Sequence, residues 1–224
     1  MTAWESSRPV RVYLERGRQH VLACAADWPG WCGYGASQES ALAALASRAP
    51  RYALLAEMAD IPFPADAQRT FQVIEWLSGS PSADFGAPGL VPACDGEPVD
   101  AVTAQRHATL LTAAWAAFYQ ASGGRTTSRL VDHVIGADVA SARKLGLRRR
   151  RPSMRDAAGL VALREDITAV IGRPSDGRPV APRGWPARYA ARHIAWHVID
   201  HMWEVEDRGP AGSIHGRRYS AAVS

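Results

Sequence analysis

Three histidines, His193, His197 and His201, recur at every fourth position in the segment ARHIAWHVIDHMWEVEDR. On a helix of 3.6 residues per turn, a step of four advances only about 40° around the axis. His197 and His201 therefore stand one turn apart with Cβ atoms about 5–6 Å from each other. That separation lets two imidazoles share one metal ion, as in the helical HExxH pattern. Ile194, Val198, Met202 and Val205 lie beside His201 on the helical wheel. His193 lies furthest round from them and is expected to face solvent. A third ligand is needed, and His133 is the candidate: it sits in SRLVDHVIGAD among Leu130, Val131, Val134 and Ile135. Such neighbours predict that it points inward or into a helix–helix groove. Three neutral imidazoles with the remaining positions open make a catalytic type of metal site, able to lower the pKa of bound water or thiol. Asp132, Asp200 and Glu204 are candidate acceptors for the distal ring nitrogens. A helical HxxxH pair also arises by chance, and spacing alone weighs a metal site and a purely structural role about equally.

The elements that must position these residues are helical. Beyond residue 98 the periodicity predicts helices from about Val99 to Ala121, Thr127 to Leu145, Ser153 to Ile171 and Pro186 to Arg208. Leu110, Leu111, Ala114, Trp115 and Phe118 share one face of the first, and Pro152 and Pro186 suit helix beginnings. Four amphipathic helices of this length most simply form a four-helix bundle. Residues 10–15 and 19–25 read instead as strands joined by a turn at Arg16-Gly17, and Trp31 to Gly35 as a short third strand after the turn Trp28-Pro29-Gly30-Trp31. A helix begins at the N-cap Ser37, with Leu42, Leu45, Leu54 and Leu55 as its apolar spacing and Pro50 expected to kink or split it. Residues 70–77 form a further strand. The whole is α+β: a β-β-β-α-β domain over 1–77, a linker over 78–98 and a helical domain over 99–224. The linker holds eight Gly or Pro in 21 positions, and a long loop over 172–186 holds seven in 15.

At 47% apolar and 21% charged residues, the 224-residue chain can bury a core and is not of disordered composition. No apolar run is long enough to span a membrane, and no secretion signal is read at the N-terminus. Three cysteines without a CxxC pair fit reduced thiols and a cytoplasmic protein. The net charge of +4 is uneven: residues 1–80 carry seven basic and eight acidic groups, so the first domain lacks the basic face that nucleic-acid binding requires. Of the 26 basic residues only Lys144 is lysine, which reads as compositional bias. The run Arg148 to Arg151 is then foremost a solvated loop, and secondarily an attractor of anions.

Residues 99–208 resemble the DinB-like four-helix superfamily, to which thiol S-transferases using mycothiol or bacillithiol belong. The resemblance rests on His133, on His197-x-x-x-His201 late in the last helix, and on the lead-in Trp185-Pro186-Ala187-Arg188; Glu204 stands where that family often has Gln. It implies His133, His197 and His201 as ligands of a divalent metal (zinc, nickel, iron or manganese), with mycothiol or another low-molecular-weight thiol as cofactor and a small-molecule substrate. Residues 10–77 resemble the HicB-like domain, a partial RNase H-type unit. The carrying residues are Asp27-Trp28-Pro29-Gly30-Trp31, Gly33, Gly35 and Ser37-Gln38-Glu39-Ser40-Ala41-Leu42, with Trp28 in place of the usual Leu. In antitoxins such a domain docks a toxin and precedes a DNA-binding module, whereas here a helical segment follows.

Three functions follow as expectations: a metal-dependent thiol transferase, an antitoxin-like protein binding a partner through its N-terminal domain, or a scaffold with vestigial histidines. A homodimer is compatible with each. Trp196 and Trp203 flank the histidines as packing residues. Cys24 and Cys32 bracket the WPGW turn with no base or helix N-terminus to activate them, and there is no Gly-rich phosphate loop and no GxSxG elbow.

Overall fold

A computed structural model describes residues 9–123 and 128–208. Residues 1–8, Thr127 at the expected start of the second bundle helix, and His215 lie outside them. Among the described residues the fold is α+β, with a mixed four-stranded sheet and five α-helices. The chain divides into two compact units between Ala93 and Cys94, inside the Gly/Pro-rich segment 78–98. None of the described helices is long and apolar enough to cross a membrane.

In the first unit β1 (Val10–Arg16), β2 (Val21–Ala25), β3 (Cys32–Gly35), α1 (Gln38–Met58) and β4 (Phe71–Ser78) follow in chain order. The sheet order is β3-β2-β1-β4, antiparallel except for the parallel β1–β4 pair that the α1 crossover creates. Ser37 caps α1 in a reciprocal box: its hydroxyl accepts from Ser40 N at 3.2 Å, and Ser40 Oγ accepts from Ser37 N at 2.8 Å. Pro50 does not split the helix, which runs unbroken through it. The exposed ring removes one backbone donor on the solvent side, while Leu45, Ala49, Tyr52 and Leu55 keep the opposite side anchored to the sheet. Leu54, expected on the apolar face, is exposed.

The WPGW turn supplies the core of this unit. Gly30 takes a left-handed φ of 86°, open to glycine at no steric cost. Trp31 is fully buried, stacks on Tyr52 and donates its indole N–H to Leu45 O at 2.9 Å. Tyr52 returns its hydroxyl to Pro29 O at 2.8 Å. Gly33 lets α1 lie directly on β3, since a Cβ there would stand 2.1 Å from Leu45 N and 2.6 Å from Ala41 O. Both obstacles are backbone atoms that no rotamer change can move. Gly33→Ala should therefore cost about 3 kcal/mol; a urea midpoint unchanged from the parent would show that the α1–β3 contact is looser than this.

The other sheet face is covered by residues 80–93, in a segment that composition alone reads as linker. Asp84 accepts from the backbone N–H groups of Arg18, Gln19 and His20 at 2.8–2.9 Å, closing the β1–β2 turn. These donors hold its carboxyl below the usual range. The buried Glu15 of β1 accepts from Ser80 Oγ and Gly89 N, both at 2.8 Å.

The second unit contains α2 (Ala101–Ala121), α3 (Ser128–Lys144), α4 (Ala157–Ile171) and α5 (Ala187–Asp207). Both α2 and α3 pack on α4 and α5. Leu110, Leu111 and Phe118 of α2 are fully buried with Ile135 of α3, Leu163 and Ile167 of α4, and Val198 and Ile199 of α5. Asp100 caps α2 by accepting from Thr103 N at 2.7 Å, and Asp156 caps α4 by accepting from Gly159 N at 2.9 Å. That second cap sets the start of α4 at Ala157, four residues after the expected Ser153.

Two buried ion pairs cross this unit. Arg192 of α5 forks onto Asp95, with Nε donating to Oδ1 at 3.0 Å and Nη2 to Oδ2. Asp138 of α3 accepts from Trp115 Nε1 of α2 at 3.2 Å and from Arg164 of α4 at 3.0–3.1 Å. Close to the first pair lies His107 of α2, 1% exposed, with Nε2 lacking a hydrogen-bond partner among the described residues. Burial first, then the charges of Arg188, Arg106 and Arg192, push its pKa down to about 3. In the unfolded chain it takes up a proton near pH 6.5. The folded state cannot, so stability falls as pH drops below that value. By pH 4 the loss from this residue is about 3 kcal/mol. His107→Leu should flatten that part of the acid limb, as read from urea unfolding at pH 7 and pH 4.5; equal acid sensitivity of variant and parent would contradict it.

Candidate metal centre

Local sequence sets the histidine geometry. Residues Ala187–Asp207 form one unbroken helix, so His197 and His201 fall one turn apart, with ring centroids 4.6 Å from each other. Tertiary packing supplies the third: α3 lies against α5 and carries His133 to within 5.0 Å and 5.1 Å of their centroids. One nitrogen from each of the three rings can be chosen so that all lie within 4.8 Å of one another. His133 Nε2 and His197 Nε2 are 3.1 Å apart. Two nitrogens each about 2.05 Å from a tetrahedral ion stand about 3.3 Å apart, so this pair already has nearly the spacing of two ligands.

The three sites differ in exposure. His201 is buried, His197 half-buried and His133 exposed. Of the two placements expected for His133, inward or in a helix–helix groove, it takes the second: Val134 and Ile135 take the core side of α3, and His133 meets His197 and His201 of α5 from the exposed rim. Burial, then the neighbouring His201, lowers the pKa of His133. Burial, followed by His201 and His133, holds His197 well below the usual imidazole range. Rings this close cannot all carry protons at neutral pH, and unprotonated imidazole is the form that ligates a metal.

Glu204 Oε2 lies 2.8 Å from His201 Nδ1, and Arg208 pairs with the same carboxylate. The His201 bond, ahead of Arg208, holds the Glu204 carboxyl below its usual range. With Nδ1 engaged, His201 has Nε2 left for a ligand role, the arrangement in which a carboxylate orients a metal-binding histidine. Asp132, the second candidate acceptor, is engaged by Arg151: the guanidinium lies 2.8 Å from its carboxylate and donates to its backbone carbonyl at 2.7 Å. Asp200 is half-buried on α5. The basic run is exposed, with Arg149 paired to Asp166. Arg151 tethers the turn of α3 that bears His133, a contact across 19 residues for which the sequence carries no local signal.

His193 does not face open solvent. Its ring lies 4.8 Å from Trp185, 5.4 Å from Tyr189 and 5.7 Å from Trp196, centroid to centroid. Burial first, then Arg192, pushes its pKa down to about 4. Trp196 and Trp203 are both buried, as packing residues should be. An aromatic row thus runs along α5 and ends at His197, whose ring lies 5.9 Å from Trp196. The chain matches no family model, no curated protein and no solved structure.

Proposed function

We propose that the helical unit binds one divalent metal ion on His133, His197 and His201, and that the protein is a metal-dependent transferase acting with a low-molecular-weight thiol such as mycothiol. The observation that carries the metal reading is the convergence of three imidazoles from two helices. Glu204 supports it by orienting His201. An all-nitrogen donor set suits zinc, nickel or iron better than manganese, which favours oxygen ligands. The thiol-transfer chemistry rests on the resemblance of residues 99–208 to the DinB-like superfamily, and the resemblance of residues 10–77 to HicB-like domains supports a partner-docking role for the first unit.

Held on neutral imidazoles, such an ion supplies Lewis acidity that lowers the pKa of a bound thiol or water. The chain itself contributes orientation and access. Glu204 fixes one ring, Arg151 holds the α3 turn behind another, and the exposed flank of His133 leaves that side of the cluster open to a small molecule. The buried Trp196 packs its ring 5.9 Å from that of His197.

Elemental analysis of the purified protein, beside His133→Ala and His197→Ala, tests the site. About one equivalent of metal is expected in the parent and none in either variant, with far-UV circular dichroism unchanged. A parent that holds no metal after reconstitution at neutral pH overturns the proposal. Consumption of a thiol with an electrophile by the loaded parent, absent in both variants, then tests the transferase reading separately.

A further inference from the structure

Cys24 and Cys32 lie directly opposite each other in the antiparallel β2–β3 pair. Ala25 N donates to Trp31 O at 2.9 Å, which makes Ala25–Trp31 a hydrogen-bonded pair. The adjacent Cys24–Cys32 pair then belongs to the non-hydrogen-bonded class, whose opposed Cα atoms stand about 4.5 Å apart. Disulfides accept Cα separations down to about 4.4 Å. The two Sγ atoms are 3.0 Å apart, only about 1 Å beyond an S–S bond length. Gly33, the neighbour of Cys32, faces α1, so strand alternation turns Cys32 and Cys24 to the other sheet face.

We infer that Cys24 and Cys32 form an oxidisable dithiol that hydrogen peroxide converts into a cross-strand disulfide and small thiols restore. This site lies in the first unit and is independent of the metal reading. Both thiols are buried, so access depends on local opening. β3 is a four-residue strand at the sheet edge, whereas β2 is held between β1 and β3. Cys32 is accordingly the thiol that peroxide meets first. Burial, with Cys32 alongside, raises the pKa of Cys24 well above its usual value, which disfavours it as the first attacker, and its sulfur 3.0 Å from that of Cys32 places it for the second step.

In the first step the Cys32 thiolate attacks one peroxide oxygen. The O–O bond breaks, hydroxide leaves and takes up the thiol proton as water, and Cys32 becomes a sulfenic acid. Cys24 sulfur then attacks Cys32 sulfur, the S–O bond breaks, and hydroxide leaves with the Cys24 proton as a second water. Two thiols and one peroxide give one disulfide and two waters. The sulfurs together lose the two electrons that the peroxide gains.

The test uses the full-length reduced protein, treated with hydrogen peroxide, unfolded, alkylated with N-ethylmaleimide and digested with trypsin. Cleavage after Arg18 and Arg48 places Cys24 and Cys32 in one peptide, 19–48, and Cys94 in another. The expected result is a 19–48 peptide two hydrogens lighter and unalkylated, which gains two adducts if dithiothreitol precedes alkylation. In Cys24→Ser, dimedone should label Cys32 after peroxide, because the sulfenic acid has lost its resolving partner. Two adducts on 19–48 after peroxide, stepwise oxygen addition to either cysteine in the parent, or bridging to Cys94 or to a second chain would each overturn the inference.

Discussion

Asp95→Ala lowers the unfolding free energy of the helical unit by about 3–5 kcal/mol, the scale seen when one partner of a buried ion pair is removed. Asp95 is 0% exposed and Arg192 is 4% exposed, so neither charge is hydrated in the fold. The fork from Nε and Nη2 onto the two carboxylate oxygens satisfies both groups at once. Removing the carboxylate takes the forked partner from a buried guanidinium in a region already crowded by Arg188 and by His107, which burial keeps neutral. The cost is that of a buried charge losing its counter-ion, not the net worth of the pair. Replacing both partners by apolar residues, Asp95→Leu with Arg192→Met, should therefore recover most of the loss. Urea unfolding of the parent, Asp95→Leu, Arg192→Met and the double variant, with Asp95→Ala beside them, followed by far-UV circular dichroism, closes the cycle. A single-variant loss below about 1 kcal/mol, or a double variant as unstable as the single, would show that the pair is not the anchor between Asp95 and α5.

Glu204→Ala weakens zinc binding by about 10–100-fold, the usual effect of removing a carboxylate that orients a metal-binding histidine. His133→Ala removes binding outright. These outcomes follow from the proposed site, and their contrast is informative because the residues act differently. Glu204 reaches the site through His201 Nδ1, so it changes affinity and leaves stoichiometry at one. Its partner Arg208 is exposed, so stability should move by less than about 1 kcal/mol. His133 belongs to α3 and is exposed, so truncating it leaves the core intact. Competition against a chromophoric zinc chelator at neutral pH measures all three proteins. Parent-like affinity in Glu204→Ala would remove its positioning role, and parent-like affinity in His133→Ala would remove the site itself.

Whatever depends on backbone periodicity was legible in the sequence. The i, i+4 histidines of α5, the Ser37 cap, the strand character of β1, β2 and β4, and the helical character of residues beyond 98 are local properties, dictated by φ/ψ geometry and side-chain spacing. Where local rules met packing, packing prevailed. Pro50 sits inside α1 because its ring faces solvent, and Leu54 is exposed because the sheet takes the neighbouring face of the helix. A Gly/Pro-rich segment covers the sheet because Glu15 and Asp84 secure it through backbone donors. Composition counts glycines and prolines; it does not count acceptors 64 residues or more away.

The candidate site divides in the same manner. By itself the sequence determined that His197 and His201 share a helix face and that Glu204 lies one turn beyond, since all three belong to one helix. Only the tertiary structure decided that His133 joins them from the rim of α3 and that Arg151 holds the α3 turn bearing it. It also decided that His193 is walled by Trp185 and Tyr189, and that Cys24 meets Cys32 in register. Spacing along one helix is a property of the backbone. The pairing of two helices, or of two strands, depends on which distant surfaces can be buried together.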